Sequence, residues 1–316
     1  MRDRGRSSWD CDPGHDDALA LLLAQGSPAI EVVAVTTVAG NQTIEKVTRN
    51  ARVVATLAGI TAPIAAGARR PLVRDQQVGA DIHGASGMDG PELPPPRVPL
   101  DSRHGVRLLI DTVMAAAPGE ITLVPTGPLT NIALAARLEP QIVDRVREVV
   151  LMGGGVNTGN WSPVAEFNIA VDPEAAHIVF NEPWSVTMVG LNVTHQALAT
   201  PQVLERIRAL GTGPARFVLG LLEFFGTTYR ELEGFSSPPV HDPCAVAHVI
   251  DPTVVVARPT PLDIELDGRL TAGMTVADLR SPAPRDCTTK AATELDHERF
   301  WGLLIDALIT IGEGGR

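Results

Sequence analysis

Four carboxylates fall within eight residues in the stretch Asp10-Cys11-Asp12-Pro13-Gly14-His15-Asp16-Asp17, and the apolar run Ala18-Leu19-Ala20-Leu21-Leu22-Leu23 follows at once. Pro13-Gly14 marks a turn and the run after it a helix, so Asp16 and Asp17 stand in a first helical turn. The helix dipole favours an anion there, but by no more than about 1 kcal/mol. That is too little to explain gathering four like charges. A hard cation explains it, since Ca²⁺ collects roughly six to eight oxygens from carboxylates, carbonyls and water. An acidic cap on a solvated turn is the plainer alternative. An EF-hand fails: counting from Asp10, the twelfth loop position is Leu21, where a bidentate Glu is required. A phosphate-binding loop fails as well, because the turn is acidic and carries no Lys.

The elements that must hold this turn alternate. Ile30–Val38, Ile121–Thr126, Val149–Met152 and Val186–Val189 read as buried strands. Helical patterns run over Asp16–Gln25, Thr43–Ala58, Val106–Ala117, Leu129–Leu138 and Asp172–Phe180. Strands alternating with helices through short connections imply one α/β domain over residues 1–316, a Rossmann-like open core with a mostly parallel sheet and helices on both faces. Ligands in such folds bind outside the carboxyl ends of the strands, which makes the polar residues just after each strand the functional candidates. Residues 67–100, rich in Gly and Pro and containing His83, and residues 234–241, ending in His241, read as long functional loops. Against this order, the stretch Arg4-Gly5-Arg6-Ser7-Ser8-Trp9 has neither the apolar content nor the alternation of a central strand.

The chain has 316 residues and a net charge of −11, which argues against nucleic acid or an anionic membrane as partner and leaves a small neutral substrate open. Three cysteines, Cys11, Cys244 and Cys287, have no metal-ligand spacing and suggest a reducing compartment. The charged start Met1–Arg6 is followed by no apolar leader, and Ala18–Ala24 is too short to span a bilayer. A cytoplasmic protein is the expectation.

The acidic stretch resembles the N-terminal signature of the inosine–uridine nucleoside hydrolase family. Further blocks resemble that family in order and spacing: Thr36-Thr37-Val38-Ala39-Gly40-Asn41, Leu123 through Asn131, Val150-Leu151-Met152-Gly153-Gly154-Gly155, Ala165-Glu166-Phe167-Asn168 and Val240-His241-Asp242-Pro243. The resemblance implies calcium-dependent hydrolysis of the N-glycosidic bond of ribonucleosides, inosine and uridine among them, by a homo-oligomer, dimer or tetramer. It makes Asp12, Asp17 and Asp242 metal ligands together with the backbone carbonyl of Thr126. Asp16, Asn41, Met152, Asn160, Glu166 and Asn168 match its ribose-binding positions, and His83 resembles a base-pocket histidine.

The chemistry fits these residues. Cleaving a ribosyl C–N bond leaves an oxocarbenium-like sugar, which a negative pocket stabilises and which repels phosphorylated substrates. Asp12 is the expected general base toward the attacking water and His241 the expected acid toward the leaving base. Phe167, Phe225 and Tyr229 could touch the base, although Phe224, Phe225 and Tyr229 at helical spacing are more often core than pocket. His15, His177, His195 and His248 read as structural or surface. Two rivals stand beside this reading. One is a phosphatase of the haloacid-dehalogenase type, which shares Asp-x-Asp after a strand but lacks here the following Thr or Val and a nearby Lys. The other is a non-catalytic nucleoside or sugar sensor on the same fold.

Overall fold

The computed structural model describes residues 4–314. Met1–Asp3, part of the charged start, and the last two residues lie outside the described residues. The strands are β1 (Gly5–Cys11), β2 (Ile30–Thr37), β3 (Ile64–Ala66), β4 (Ile121–Pro125), β5 (Glu148–Met152), β6 (Val186–Val189), β7 (Val255–Pro259), β8 (Leu262–Ile264), β9 (Thr275–Ala277) and β10 (Thr289–Leu295). The helices are α1 (His15–Gly26), α2 (Ile44–Ala58), α3 (Ala80–His83), α4 (Gly105–Ala115), α5 (Thr130–Leu138), α6 (Gln141–Arg145), α7 (Phe167–Val171), α8 (Pro173–Asn181), α9 (Leu191–Thr194), α10 (Pro201–Ala209), α11 (Gly213–Leu232), α12 (Asp242–Ile250) and α13 (His297–Gly314).

Eight strands form one sheet in the order β3-β2-β1-β4-β5-β6-β10-β7, parallel except where β7 meets β10; β8 and β9 pair apart from it. The chain is thus a single α/β domain of the expected class. Along β5, Val150 and Met152 enter one apolar core and Val149 and Leu151 the other. This two-sided burial is why these strands read as unbroken apolar runs rather than alternating ones. Helices α1, α2, α11, α12 and α13 cover the first face, and α4, α5 and α8 the second. Strand order reverses between β1 and β4, because β2 and β3 lie to one side of β1 and the later strands to the other. A crevice therefore opens outside the carboxyl ends of β1 and β4, and Asp12 and Thr126 each follow one of those ends.

The unpromising N-terminal stretch is a central strand. β1 pairs in parallel with β2 from Gly5 through Cys11 and with β4 from Arg6 through Asp10. Tertiary context overrides its composition: both edges are paired, and Trp9 and Cys11 are fully buried in the first core. Truncating a buried indole of this kind costs about 3–5 kcal/mol. Ser7 and Ser8 are small enough to fit, though their hydroxyls find no partner among the described residues. The register slips between Ser7 and Ser8, which marks the local cost of the poor sequence.

Helix α1 is buried on every side, with Ala18 through Ala24 at most 1% exposed. It runs through the first core against α12 and α13 and carries Asp16 and Asp17 at its start. Residues 67–100 contain the short helix α3, and residues 234–241 lead directly into α12.

Candidate active site

The turn after β1 is fixed by its neighbours. Asp12 Oδ2 accepts the Asn41 backbone N–H at 2.6 Å, and the Asn41 side-chain amide donates to the Asp12 carbonyl at 3.2 Å and to Asp17 Oδ2 at 3.3 Å. Asp17 also accepts from Gly14 N at 3.0 Å and from the Thr126 hydroxyl at 2.8 Å. Glycines permit this approach: a Cβ on Gly40 would stand 2.1 Å from Asp12 Oδ2, and one on Gly127 2.6 Å from Asp12 Oδ1. Oxygens of Asp16, Asp17 and Asp242 lie within 4.8 Å of one another, all buried. Asp12 is outside that tightest trio, and its Oδ1 is buried with no partner among the described residues. Asp16 Oδ2 in turn accepts the His241 backbone N–H at 3.3 Å, at the start of α12. Two helix starts, α1 and α12, thus turn their positive ends toward the same carboxylates.

Above this floor lies a cavity of about 350 Å³ with two unlike halves. Polar groups line one. Glu166 accepts from Gly154 N at 2.8 Å and Asn168 N at 3.0 Å, which caps α7. The Asn168 amide donates to the carbonyls of Thr126 at 2.9 Å and Met152 at 3.2 Å, tying the ends of β4 and β5 together. Asn160 Oδ1 accepts Phe167 N at 2.9 Å. The other half is apolar and aromatic, with Ile82, His83, Trp161, Phe167, Phe225, Tyr229 and Leu232. His241 is buried with Nδ1 2.8 Å from the Thr194 hydroxyl and Nε2 2.7 Å from the Tyr229 hydroxyl. Asp81 and Glu233 stand among the lining residues, and no Lys or Arg does.

The chain matches the family model described as inosine-uridine preferring nucleoside hydrolase over residues 8–302. It belongs to that family. An inosine-uridine preferring nucleoside hydrolase of Leishmania major is 60% identical to it over 306 residues, covering 96% of this chain and 97% of the relative. A pyrimidine-specific ribonucleoside hydrolase of Shewanella sp. is 42% identical, covering 95% of this chain and 94% of that one. Among solved structures, the purine-preferring ribonucleoside hydrolase from Gardnerella vaginalis superposes with a TM-score of 0.91 at 32% identity, covering 98% of this chain and 99% of that one. The protein is accordingly an enzyme, a hydrolase acting on N-glycosyl bonds, and the phosphatase and sensor readings fall. A cavity lined by carboxylates and no cationic side chain agrees, for it offers a phosphate ester nothing to pair with.

In this nucleoside hydrolase the sequence-derived candidates converge. Asp16, Asn41, His83, Thr126, Met152, Asn160, Glu166, Phe167, Asn168, His241 and Asp242 all line the cavity; Asp12 and Asp17 do not, but are hydrogen-bonded to the lining residues Asn41 and Thr126. Asp16, expected at the ribose, stands within the carboxylate trio. Burial raises Asp16 and Asp17 to about 6 and Glu166 to about 7, and drives Asp12 and Asp242 upward, with repulsion from neighbouring carboxylates adding to it for all of them except Asp16. Burial also lowers His241 to about 4, so its imidazole is neutral near pH 7.

Several site residues differ from the sequence reading. Phe225 and Tyr229 serve as core and pocket at once, since α11 is amphipathic and its last turns end at the cavity. Of the two alternatives for His15 and His195, structural or surface, the first holds: His15 is 1% exposed and contacts His83, and the partly buried His195 packs edge-on to His241. Trp161, Asp81, Leu232 and Glu233 went unread. For Trp161 a signal existed, as a large apolar side chain in a Gly-rich polar loop.

Proposed function

We propose that this enzyme is calcium-dependent and hydrolyses ribonucleosides of both base classes, inosine and uridine among them, to ribose and free base. The observation that carries it is the unpartnered Asp12 Oδ1 set among buried, mutually repelling carboxylates. Such a cluster near neutral pH either keeps protons or takes a compensating cation. The donor set is oxygen alone, Asp12, Asp17, Asp242 and the Thr126 carbonyl, which suits Ca²⁺ and lacks the His or Cys that Zn²⁺ favours. When bound, the cation supplies a fixed positive charge that collects sugar hydroxyls and acidifies water.

The chain's own groups do the rest. Asn41, Asn160, Glu166 and Asn168, each held by a main-chain hydrogen bond, bind and orient the sugar in the polar half. Asp12 Oδ1 takes the proton of the attacking water. A carboxylate is a weak base, yet it suffices, since an oxocarbenium-like transition state needs little push from the nucleophile. The surrounding carboxylates favour the positive sugar over its neutral ground state. Phe167, Phe225 and Tyr229 exclude water from the side where the base leaves. His241 also borders that side, with its Nε2 2.7 Å from the Tyr229 hydroxyl; the pair delivers a proton to the departing nitrogen once the resting neutral imidazole has taken one up from solvent, and the ring returns to neutral on giving it away. Both base classes fit because the base half is apolar, and the names of the relatives span pyrimidine-specific and purine-preferring enzymes. Three cysteines without a disulfide agree with a cytoplasmic enzyme, and no described helix is long and apolar enough to cross a membrane. A homo-oligomer, as the family resemblance implies, completes the reading.

A reducing-sugar assay over inosine, uridine, adenosine and cytidine, with chelator and with calcium restored, tests this. Ribose release from both a purine and a pyrimidine nucleoside, lost with chelator and regained with calcium, is expected. Release unchanged in chelator, or confined to one base class, would overturn the corresponding part.

A further inference from the structure

His83 presents one nitrogen to the cavity, and the other is held inside the protein. Its Nδ1 lies 3.1 Å from His15 Nδ1, while Nε2 has no partner among the described residues and His83 borders the cavity. His15 Nε2 is 2.8 Å from the Asp89 carbonyl. A carbonyl only accepts, so His15 Nε2 carries a proton. The His15 ring lies nearly parallel to Phe224 and Phe225, at interplanar angles of 4° and 7°, and no carboxylate hydrogen-bonds it. In a neutral His15 the remaining Nδ1 is bare and accepts. His83 Nδ1 must then donate, and its Nε2 is left as a lone pair facing the ligand. The competing arrangement is an imidazolium at His15 donating to a bare His83 Nδ1, toward which the His15 backbone N–H also points from 3.4 Å. It would place a full charge on a ring that is 1% exposed and hydrogen-bonded to no carboxylate, a desolvation cost that the two phenyl faces offset only in part.

We propose that His15 is a positioning residue that fixes the tautomer of His83, so that His83 Nε2 accepts a hydrogen bond from an O–H or N–H of the nucleoside and cannot donate one to a carbonyl. The proposal rests on the reading of His83 as a substrate contact. It assigns a role to a residue of the acidic stretch that is neither carboxylate nor turn former. The chain Asp89 carbonyl, His15, His83 also ties the α3 loop to the start of α1, so the acceptor moves with the floor rather than with the loop. With the 2′- and 3′-hydroxyls taken up by the proposed cation and the polar half, two donors of a nucleoside remain, the sugar 5′-hydroxyl and the ring N–H of a lactam base.

The test is nitrogen-15 NMR of histidine-labelled enzyme in calcium, with His83 assigned by the signal lost in His83→Asn. We expect a protonated Nδ1 and a bare Nε2 at His83, the reverse of the tautomer that imidazole prefers in water. In His15→Leu the pattern should revert to protonated Nε2, and KM for uridine should rise roughly 3- to 10-fold, as for one lost hydrogen bond, with a smaller change in kcat. In His15→Gln the side-chain carbonyl can accept from His83 Nδ1, so tautomer and KM should largely recover. Loss of this KM difference with 5′-deoxyuridine assigns the donor to the sugar, and loss with 3-methyluridine assigns it to the base. A protonated Nε2 at His83 in the unaltered enzyme, an unchanged tautomer in His15→Leu, or a KM difference that survives both analogues overturns the proposal. The shifts are read without turnover, so an enzyme inert to nucleosides would sink the functional reading while leaving the His15–His83 arrangement decided on its own.

Discussion

Asp12→Asn separates chemistry from architecture more cleanly than any other change in this site. The asparagine oxygen can keep the 2.6 Å bond from Asn41 N, and the side chain fits the same gap between Gly40 and Gly127. What changes is the unpartnered Oδ1, which becomes an amide with no lone pair for a proton. Loss of a general base costs about 10²- to 10⁴-fold in rate, or about 2.7–5.5 kcal/mol in the barrier. The folded state should not suffer in step. Asp12 is raised by burial and by the charges of Asp17, Asp16 and Asp10, so removing its charge relieves repulsion in the cation-free chain. We therefore expect kcat for inosine to fall at least 100-fold, Tm in chelator to stay level or rise, and the gain in Tm on adding calcium to shrink. Steady-state ribose release and thermal melts with and without calcium measure all three. A kcat within threefold of the unaltered enzyme would remove Asp12 Oδ1 from the mechanism. A rate loss accompanied by an equal collapse of Tm in chelator would make Asp12 a structural residue instead.

Asp16 and Asp17, at about 6, and Glu166, at about 7, are raised above ordinary values of 3.8 and 4.5, so the cation-free fold holds more protons than the unfolded chain between those limits. The stability these groups contribute is whole below their ordinary values and is lost as pH rises through 6 to 7; calcium bound as proposed would expel those protons, so its affinity should climb from pH 5.5 to 7.5, and calorimetric titration showing a flat profile would refute this. Tyr229→Phe breaks the 2.7 Å link to His241 and should slow inosine about 10- to 100-fold while sparing p-nitrophenyl riboside, whose leaving group needs no proton. His241→Ala should show the same split, and equal losses on both substrates would rule out leaving-group protonation for the pair. Gly40→Ala drives a Cβ to 2.1 Å from Asp12 Oδ2 and 2.8 Å from Pro128 Cδ, so calcium affinity should drop at least tenfold in the same titration; an unchanged affinity would show that the Asp12 position is not critical.

Strands and helices buried on both sides were legible because periodicity reports burial directly. Ile30–Thr37 and Val186–Val189 fall where their apolar runs lie. β1 was not, since its place in the sheet comes from two neighbours supplying hydrogen bonds rather than from its own Ser7 and Ser8. The carboxylates stood out because like charges close in sequence demand an explanation. Tyr229 did not: its hydroxyl matters through His241, twelve positions on, and helical spacing alone shows only that Phe225 and Tyr229 share a face. His15 was hidden for the same reason, as its partners His83 and Asp89 lie about seventy residues away.

The fold also explains why so costly a cluster can persist. Asp16 and Asp17 lie at the start of a helix buried along its whole length, and Asp242 begins another, so neither turn can move away from the repulsion without unpacking the first core. Partial charges at the two helix starts and main-chain donors to Asp12, Asp16 and Asp17 reduce the strain but leave Asp12 Oδ1 unpartnered. A flexible acidic loop would relax into solvent and bind a cation weakly. A rigid one stores the repulsion, and a cation that fits gains what the loop cannot otherwise release. Affinity for calcium and rigidity of the turn should therefore be lost together, which is why Gly40, itself no proposed ligand but packed against Asp12 Oδ2, probes the rigidity of the turn while leaving every carboxylate in place.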